Sequence, residues 1–400
     1  MTQVSVDAVH RIVEAARDEI VEFAQHLIRT PSITGDEHAC AQVVRDKMLS
    51  LGLETHWVEP KSGRPNVVGY FRGQRPGKQF IYNGHIDTVP PGPRDEWRFD
   101  PFSAQIEDGK LYGRGACDMK AGLACMIMAT GLFSRLGVPL AGSAIATAVC
   151  DEQFGSVLGT QYLVEQGYIQ GDMGIVGEST NMRIDIGHKG IHWAEIIARG
   201  KAIHASRPWL GVNAIEHMHA VMHEVLQVSE RLAQRERDPW LGHPTAQVTM
   251  FQGGTAENMI PSYCRMVVDR RLVYGETDET ARKEIEDCLE TVRARVPDIL
   301  VHANSIKYKP TVFVDPDSPI VKITRQCIED VTGSVPVVAG KDGGTDATWI
   351  VNMGKVPAII FGPGEYLKAS LAADEFVSIE DMISATKVYM LAALRAWTHP

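Results

Sequence analysis

Several things are scarce in this chain of 400 residues, and each scarcity excludes something. The N-terminus, MTQVSVDAVHRIVEAARDEI, lacks the basic start and unbroken apolar core of a secretory signal. No later segment offers the run of roughly eighteen apolar residues that reads as a membrane span. The 7 cysteines are odd in number and show no Cys-x-x-Cys spacing, so reduced thiols and a cytoplasmic location are expected. Positive charge is short, with 40 Lys and Arg against 50 Asp and Glu for a net charge of −10, and no basic run exists. Nucleic acid and membrane are therefore not expected as partners, and small molecules fit better. There is no repeat and no low-complexity stretch, and Gly343-Gly344 lacks the G-x-G-x-x-G context of a nucleotide loop.

The length suits two domains rather than one core. Helical spacing of apolar residues predicts helices from Asp7 to Leu27 and from Asp36 to Leu51, with Pro31 in the break and Gly52 after the second. Short apolar runs at Phe80–Tyr82, Ala144–Cys150, Ile175–Val176 and Val356–Phe361 alternate with helical stretches such as Met119–Leu136, the pattern of an α/β sheet. From about Gly190 to Ala303 the pattern changes to alternating strands (Trp193–Ala198, Ala246–Phe251, Cys264–Leu272) and two amphipathic helices, Asn213–Arg235 and Asp278–Arg295. The expected organisation is a catalytic domain in two parts, 1–189 and 304–400, around an inserted α+β domain, 190–303. KPTVFVDPDSP marks the re-entry, before a helix Ile320–Thr332.

Four clusters carry chemistry. Asn83-Gly84-His85-Ile86-Asp87 puts a histidine at the end of a buried strand with an aspartate two residues on. Gly113-Arg114-Gly115-Ala116-Cys117-Asp118-Met119-Lys120 holds an acid in a glycine-flanked loop before a helix; Asp151-Glu152-Gln153 and Gly177-Glu178-Ser179 each follow a strand. Any one of them alone reads as a core hydrogen-bonded pair or a helix cap. Together they supply an imidazole and several carboxylates at strand and loop ends, as a carboxylate-rich transition-metal site requires. Cys117 and Cys150 stand next to candidate acids, but adjacent side chains usually diverge, so they are expected to pack rather than ligate.

With His204-Ala205-Ser206-Arg207-Pro208…Gly211-Val212-Asn213-Ala214 and Gly343-Gly344-Thr345-Asp346, these blocks resemble, in order, the motifs of the aminoacylase, acetylornithine deacetylase, succinyl-diaminopimelate desuccinylase and glutamate carboxypeptidase family of metallopeptidases. The resemblance spans nearly the whole chain. It implies a zinc-peptidase-like α/β catalytic domain with a mixed central sheet and an inserted, ferredoxin-like lid that also forms a homodimer. By the same resemblance His85, Asp118 and Glu178 hold a divalent metal, zinc or manganese. Asp87 orients His85 through its second ring nitrogen, and Glu152 is the general base that deprotonates water and protonates the leaving nitrogen. His204 supplies an oxyanion donor across the dimer interface, assisted by Asn258. Arg271 clamps a substrate carboxylate, and Arg207 and Gly344, within matched blocks, belong with the substrate-binding residues.

Two positions depart from the pattern. Relatives hold a second metal with a glutamate directly after the catalytic one and a histidine shortly before a C-terminal Asp-Glu pair; here these positions read Gln153 and Leu371, and no histidine lies between His302 and His399. An amide is a poor substitute for a carboxylate and a leucine has no lone pair. Both losses fall on one metal, so a single-metal enzyme is expected. The leading reading is hydrolysis of the amide bond of a small carboxylate-bearing substrate such as an N-acyl amino acid or dipeptide. The alternatives are hydrolytic deamination of an aromatic amine, with which Trp209 is compatible, and a non-catalytic, degenerate relative.

Overall fold

The protein is described by a computed structural model over residues 4–399. Ser5 accepts a hydrogen bond from the Ala8 amide and so starts the first helix, Val6–Ala15. The helix expected over Asp7–Leu27 is in fact two, because Ala16 leaves helical geometry (φ −100°, ψ 7°) before the second, Arg17–Arg29, begins. The third, His38–Ser50, lies within the expected segment.

Two compact units follow from the chain's contacts: Met1–Ile186 with Val314–Ala339 and Thr345–Pro400, and Gly187–Phe313 with Gly340–Gly344. In the first, strands run in the order Glu54–Lys61, Arg64–Arg72, Ala141–Val149, Arg75–His85, Met173–Val176, Ala358–Ile360. The first two pairings are antiparallel and the next three parallel, so the sheet is mixed. The parallel strands are buried on both faces, as their Val, Ile and Ala runs require. Against them lies the helix Ala121–Leu132, all of whose residues are buried. The stretch Ala116–Leu136 is long and apolar enough to cross a membrane by length and composition, yet 94% of its most apolar window is buried inside the fold. It is a core helix, apolar all round because it is enclosed all round. The C-terminal helix Ile379–Thr398 is tied to the sheet at Tyr389, whose carbonyl accepts from Tyr82 and whose hydroxyl donates to the Phe361 carbonyl.

The second unit is an antiparallel sheet in the order Thr245–Gly253, Tyr263–Leu272, Gly190–Arg199, Leu300–Lys309. Its core joins the buried sides of the strands (Ile196, Met266, Val268) to those of two helices, Ala214–Gln234 (Met218, Val225) and Asp278–Arg295 (Ile285, Leu289). Asn213 caps the first helix by accepting from the Ile215 and Glu216 amides, and a Thr277/Thr280 capping box starts the second where the periodicity places it. The expected return to the first unit at residue 304 falls too early. Leu300–Lys309 pairs along Gly190–Arg199, so the chain stays in the second unit to Phe313, and Gly340–Gly344 also belongs there. Among the described residues all seven cysteines are buried and none forms a disulfide.

His192, on the strand Gly190–Arg199, is buried with neither ring nitrogen hydrogen-bonded, and Asp278 lies 3.9 Å away. Burial lowers its pKa, Asp278 opposes the shift, and Arg282 and Arg270 add to it. At this site the folded chain therefore takes up fewer protons than the unfolded chain, and the stability gained by keeping His192 neutral is lost as pH falls below the unfolded value of about 6.5. Between pH 7 and pH 5 the unfolding free energy from urea melts should fall less, or rise more, in His192→Leu than in the wild type, by at most about 1.4 kcal/mol per pH unit. An unchanged slope would show that His192 is not the titrating group.

Candidate metal centre

Parallel pairing places the chemistry-bearing loops side by side. His85 ends the strand Arg75–His85 and sits opposite Val149, while Asn83 sits opposite Val176. Glu152 opens the short turn Glu152–Phe154 beyond the strand Ala141–Val149, and Glu178 follows the strand Met173–Val176. Residues beyond the carboxyl ends of neighbouring parallel strands share one loop region, the usual place for ligands in such sheets. Asp118 lies in the turn Ala116–Lys120, directly before the core helix. Gly122 lets that helix approach the loop of Glu178: a Cβ at 122 would stand 2.1 Å from the Gly177 carbonyl oxygen.

His85, Asp118 and Glu178 each offer a ligand atom, and these atoms lie within 4.8 Å of one another. His85 Nε2 is 2.9 Å from Asp118 Oδ1 and 3.6 Å from Glu178 Oε1. The side chains are 0%, 12% and 6% exposed. Burial alone would lower the His85 pKa, but hydrogen bonds to Asp118 and Glu178, and the charges of Asp118 and Asp87, raise it well above the ordinary value. The field that favours a proton on Nε2 favours a cation there too, and one nitrogen with two carboxylates suits zinc or manganese. The residues present therefore fit one divalent ion. Cys117 and Cys150 are buried neighbours, and burial pushes the Cys150 thiol well up, away from a ligating thiolate.

The expected contact between the Asp87 carboxylate and His85 is not the short one. His85 Nδ1 is 2.8 Å from the Asp87 main-chain oxygen and 3.5 Å from its carboxylate. The carboxylate is turned to its neighbours: Oδ1 accepts from the Glu152 amide at 3.0 Å, and Oδ2 from the Gln153 amide at 3.2 Å and the Thr34 hydroxyl at 2.8 Å. The Glu152 turn is anchored on its other side as well, since Arg64 bridges Asp151 (3.0 Å) to the buried Glu37 (2.6 Å).

The loop of Asp118 is held by a residue given no role above. Glu375, fully buried, accepts from the Cys117 and Asp118 amides at 2.8 and 2.9 Å with Oε1, and from the Gly115 amide and Arg114 at 3.1 and 2.6 Å with Oε2. Arg114 reaches on to the carbonyls of Leu371 and Ala372. Ser370 donates its hydroxyl to Asp118 Oδ2 at 3.2 Å. The motifs Gly113-Arg114-Gly115 and Asp374-Glu375 mark two of these residues in the sequence; nothing marks Ser370.

His204, Arg207, Asn258, Arg271 and Gly344 belong to the second unit. His204 and Asn258 share an exposed corner: His204 pairs with Met259, the Asn258 carbonyl accepts from the Ala205 amide, and the Arg207 amide donates to the His204 carbonyl. His204 Nδ1 accepts from the Ser206 amide, which leaves the proton of the neutral ring on Nε2. Arg271 is elsewhere on the sheet, forked onto Asp269 at 2.7 and 3.0 Å, while Asp269 also accepts from Trp193. A substrate carboxylate would have to take that guanidinium from Asp269.

The model of peptidase family M20/M25/M40 matches residues 81–395. The chain belongs to this family. It is 28% identical to the N-formyl-4-amino-5-aminomethyl-2-methylpyrimidine deformylase of Bacillus subtilis (strain 168), over 94% of each chain. It is 31% identical to a succinyl-diaminopimelate desuccinylase of Methylorubrum extorquens, covering 92% of this chain and 96% of that one. Among solved structures it matches the YXEP protein of Bacillus subtilis, described as a dinuclear metal-binding peptidase of the M20 family, with a TM-score of 0.75 at 16% identity over 97% and 100% of the two chains. That likeness concerns the fold. Membership makes this M20 chain a metal-dependent hydrolase of amide or peptide bonds.

Because the main chain of Asp87 orients His85 while its carboxylate holds the Glu152 turn, Asp87→Ala in the M20 chain should lower kcat by about tenfold or more with a smaller loss of metal affinity. Titration with manganese alongside steady-state kinetics checks this. A larger loss in affinity than in kcat would return Asp87 to the role of a ring-orienting carboxylate.

Proposed function

We propose that this protein is a one-metal amidohydrolase that removes an acyl group from the nitrogen of a small, carboxylate-bearing substrate, such as an N-acyl amino acid or dipeptide. One observation carries the reading: His85, Asp118 and Glu178 converge on one point, while positions 153 and 371 offer an amide and a hydrocarbon. The names of two relatives point the same way, since a deformylase and a desuccinylase both remove an acyl group.

A divalent ion held by His85, Asp118 and Glu178 supplies Lewis-acid polarisation and eases ionisation of water. Glu152 takes the proton from the attacking water and delivers it to the leaving nitrogen. The Asp87 and Arg64 contacts fix the main chain from which Glu152 projects. His204 donates from Nε2 to the oxyanion, with Asn258 beside it. Arg271 and Arg207 are the guanidinium groups suited to a substrate carboxylate, and Gly344 leaves room for the backbone to approach it. The second unit presents an edge strand, Thr245–Gly253, with Met250 and Phe251 41% and 40% exposed, and this face suits a homodimer.

Hydrolysis of an aromatic amine is the second reading. It is favoured by Trp209, 76% exposed on the turn that follows Arg207. The retained Glu152 counts against the non-catalytic alternative, because a binding protein has no use for a base beside the metal cluster.

Elemental analysis of protein purified without chelator should give one metal per chain. Glu152→Gln should keep that metal and lose about 10²–10⁴ in kcat on N-formyl, N-succinyl and dipeptide substrates. Two metals per chain would overturn the one-metal reading, and wild-type turnover in Glu152→Gln would remove Glu152 as the base. Light scattering should give twice the chain mass; a monomer would end the proposed sharing of His204 across a dimer.

A further inference from the structure

A carboxylate shared between two ions presents one oxygen to each. In this chain the two oxygens of Asp118 have unlike surroundings. Oδ1 faces His85 Nε2 at 2.9 Å, within the cluster with Glu178, whereas Oδ2 receives the Ser370 hydroxyl at 3.2 Å. By the family resemblance Gln153 and Leu371 stand at the positions of a second ion's ligands, and they are the wrong kind. Gln153 is neutral and its main-chain N–H is spent on Asp87, and Leu371 is a hydrocarbon 47% exposed. A second cation does not fit these donors.

The hydroxyl is also held in place. Leu371 adopts a left-handed backbone (φ 62°), its carbonyl accepts from Arg114, and Arg114 is anchored on the buried Glu375. Glu375 in turn accepts from the Asp118 amide. Ser370 and Asp118 are thus both tied to one buried ion pair, so the hydroxyl and Oδ2 keep their register without a metal between them.

We propose that Ser370 is a positioning residue that takes over from a second metal the task of fixing Asp118. Its hydroxyl occupies Oδ2, locks the carboxylate rotamer, and so presents Oδ1 with His85 and Glu178 to a single ion. A hydroxyl supplies no Lewis acidity, so it preserves the geometry of the dinuclear arrangement and not its second charge. The inference rests on the one-metal reading above.

Chelator-stripped wild type, Ser370→Ala and Ser370→Thr are titrated with manganese by calorimetry. Wild type should bind one equivalent. Ser370→Ala should also bind one, about tenfold more weakly, which is the low end of the range for a group that orients a ligand, because the bond is long. Ser370→Thr, which keeps the hydroxyl, should stay close to wild type, and the thermal midpoints of the three metal-free proteins should coincide. Wild-type affinity in Ser370→Ala overturns the inference and leaves the one-metal reading standing, as does an equal loss in Ser370→Thr. Two equivalents on wild type overturn the one-metal reading itself.

Discussion

Two carboxylates and an imidazole, taken out of water within a few ångströms of one another, are the constraint around which the first unit is arranged. Buried charge of one sign is tolerated only where donors and opposite charge surround it. The neighbouring loops answer that demand. Glu375 and Arg114 brace the turn that carries Asp118, Asp87 and Arg64 brace the turn that carries Glu152, and the raised pKa of His85 records the pull of the cluster on positive charge. Much of the hydrogen bonding at this end of the sheet serves to position two side chains, Asp118 and Glu152.

That arrangement separates two kinds of work. The candidate ligands come from strand ends and a helix start, which are rigid because they continue buried elements. Glu152 comes from a short turn entered through a left-handed Asp151, and it depends on side chains from distant parts of the chain to stay in place. Rigid ligands suit a metal, whose affinity falls when geometry loosens. A carboxylate on a braced turn suits the proposed acid–base role, in which it must meet first the water and then the leaving nitrogen.

Much of the fold was legible because the periodic segments were strong. The capped helix Asp278–Arg295 and the apolar strands leading to His85, Glu152 and Glu178 stand where their patterns place them. Three features were not legible, each for a physical reason. The strand Leu300–Lys309 carries mostly polar residues at an edge of its sheet, and only its pairing with Gly190–Arg199 reveals it. The break at Ala16 has no glycine or proline to announce it. Ser370 carries no motif, because its role depends on a fold that returns the chain to Asp118 after some 250 residues (|i−j| = 252).

The sequence by itself determined which donors exist: the imidazole of His85 and the carboxylates of Asp118, Glu152 and Glu178. Those are facts of side-chain chemistry, and no folding alters them. Only the tertiary structure decided how the donors are used. Which oxygen of Asp118 meets Ser370 is set where segments 252 residues apart come together, whereas the hold of the Asp87 carbonyl on His85 and the fork of Arg271 onto Asp269 are set by local conformation within two residues. Spacing along a chain does not fix them, because a hydrogen bond needs its donor and acceptor at a particular distance and angle.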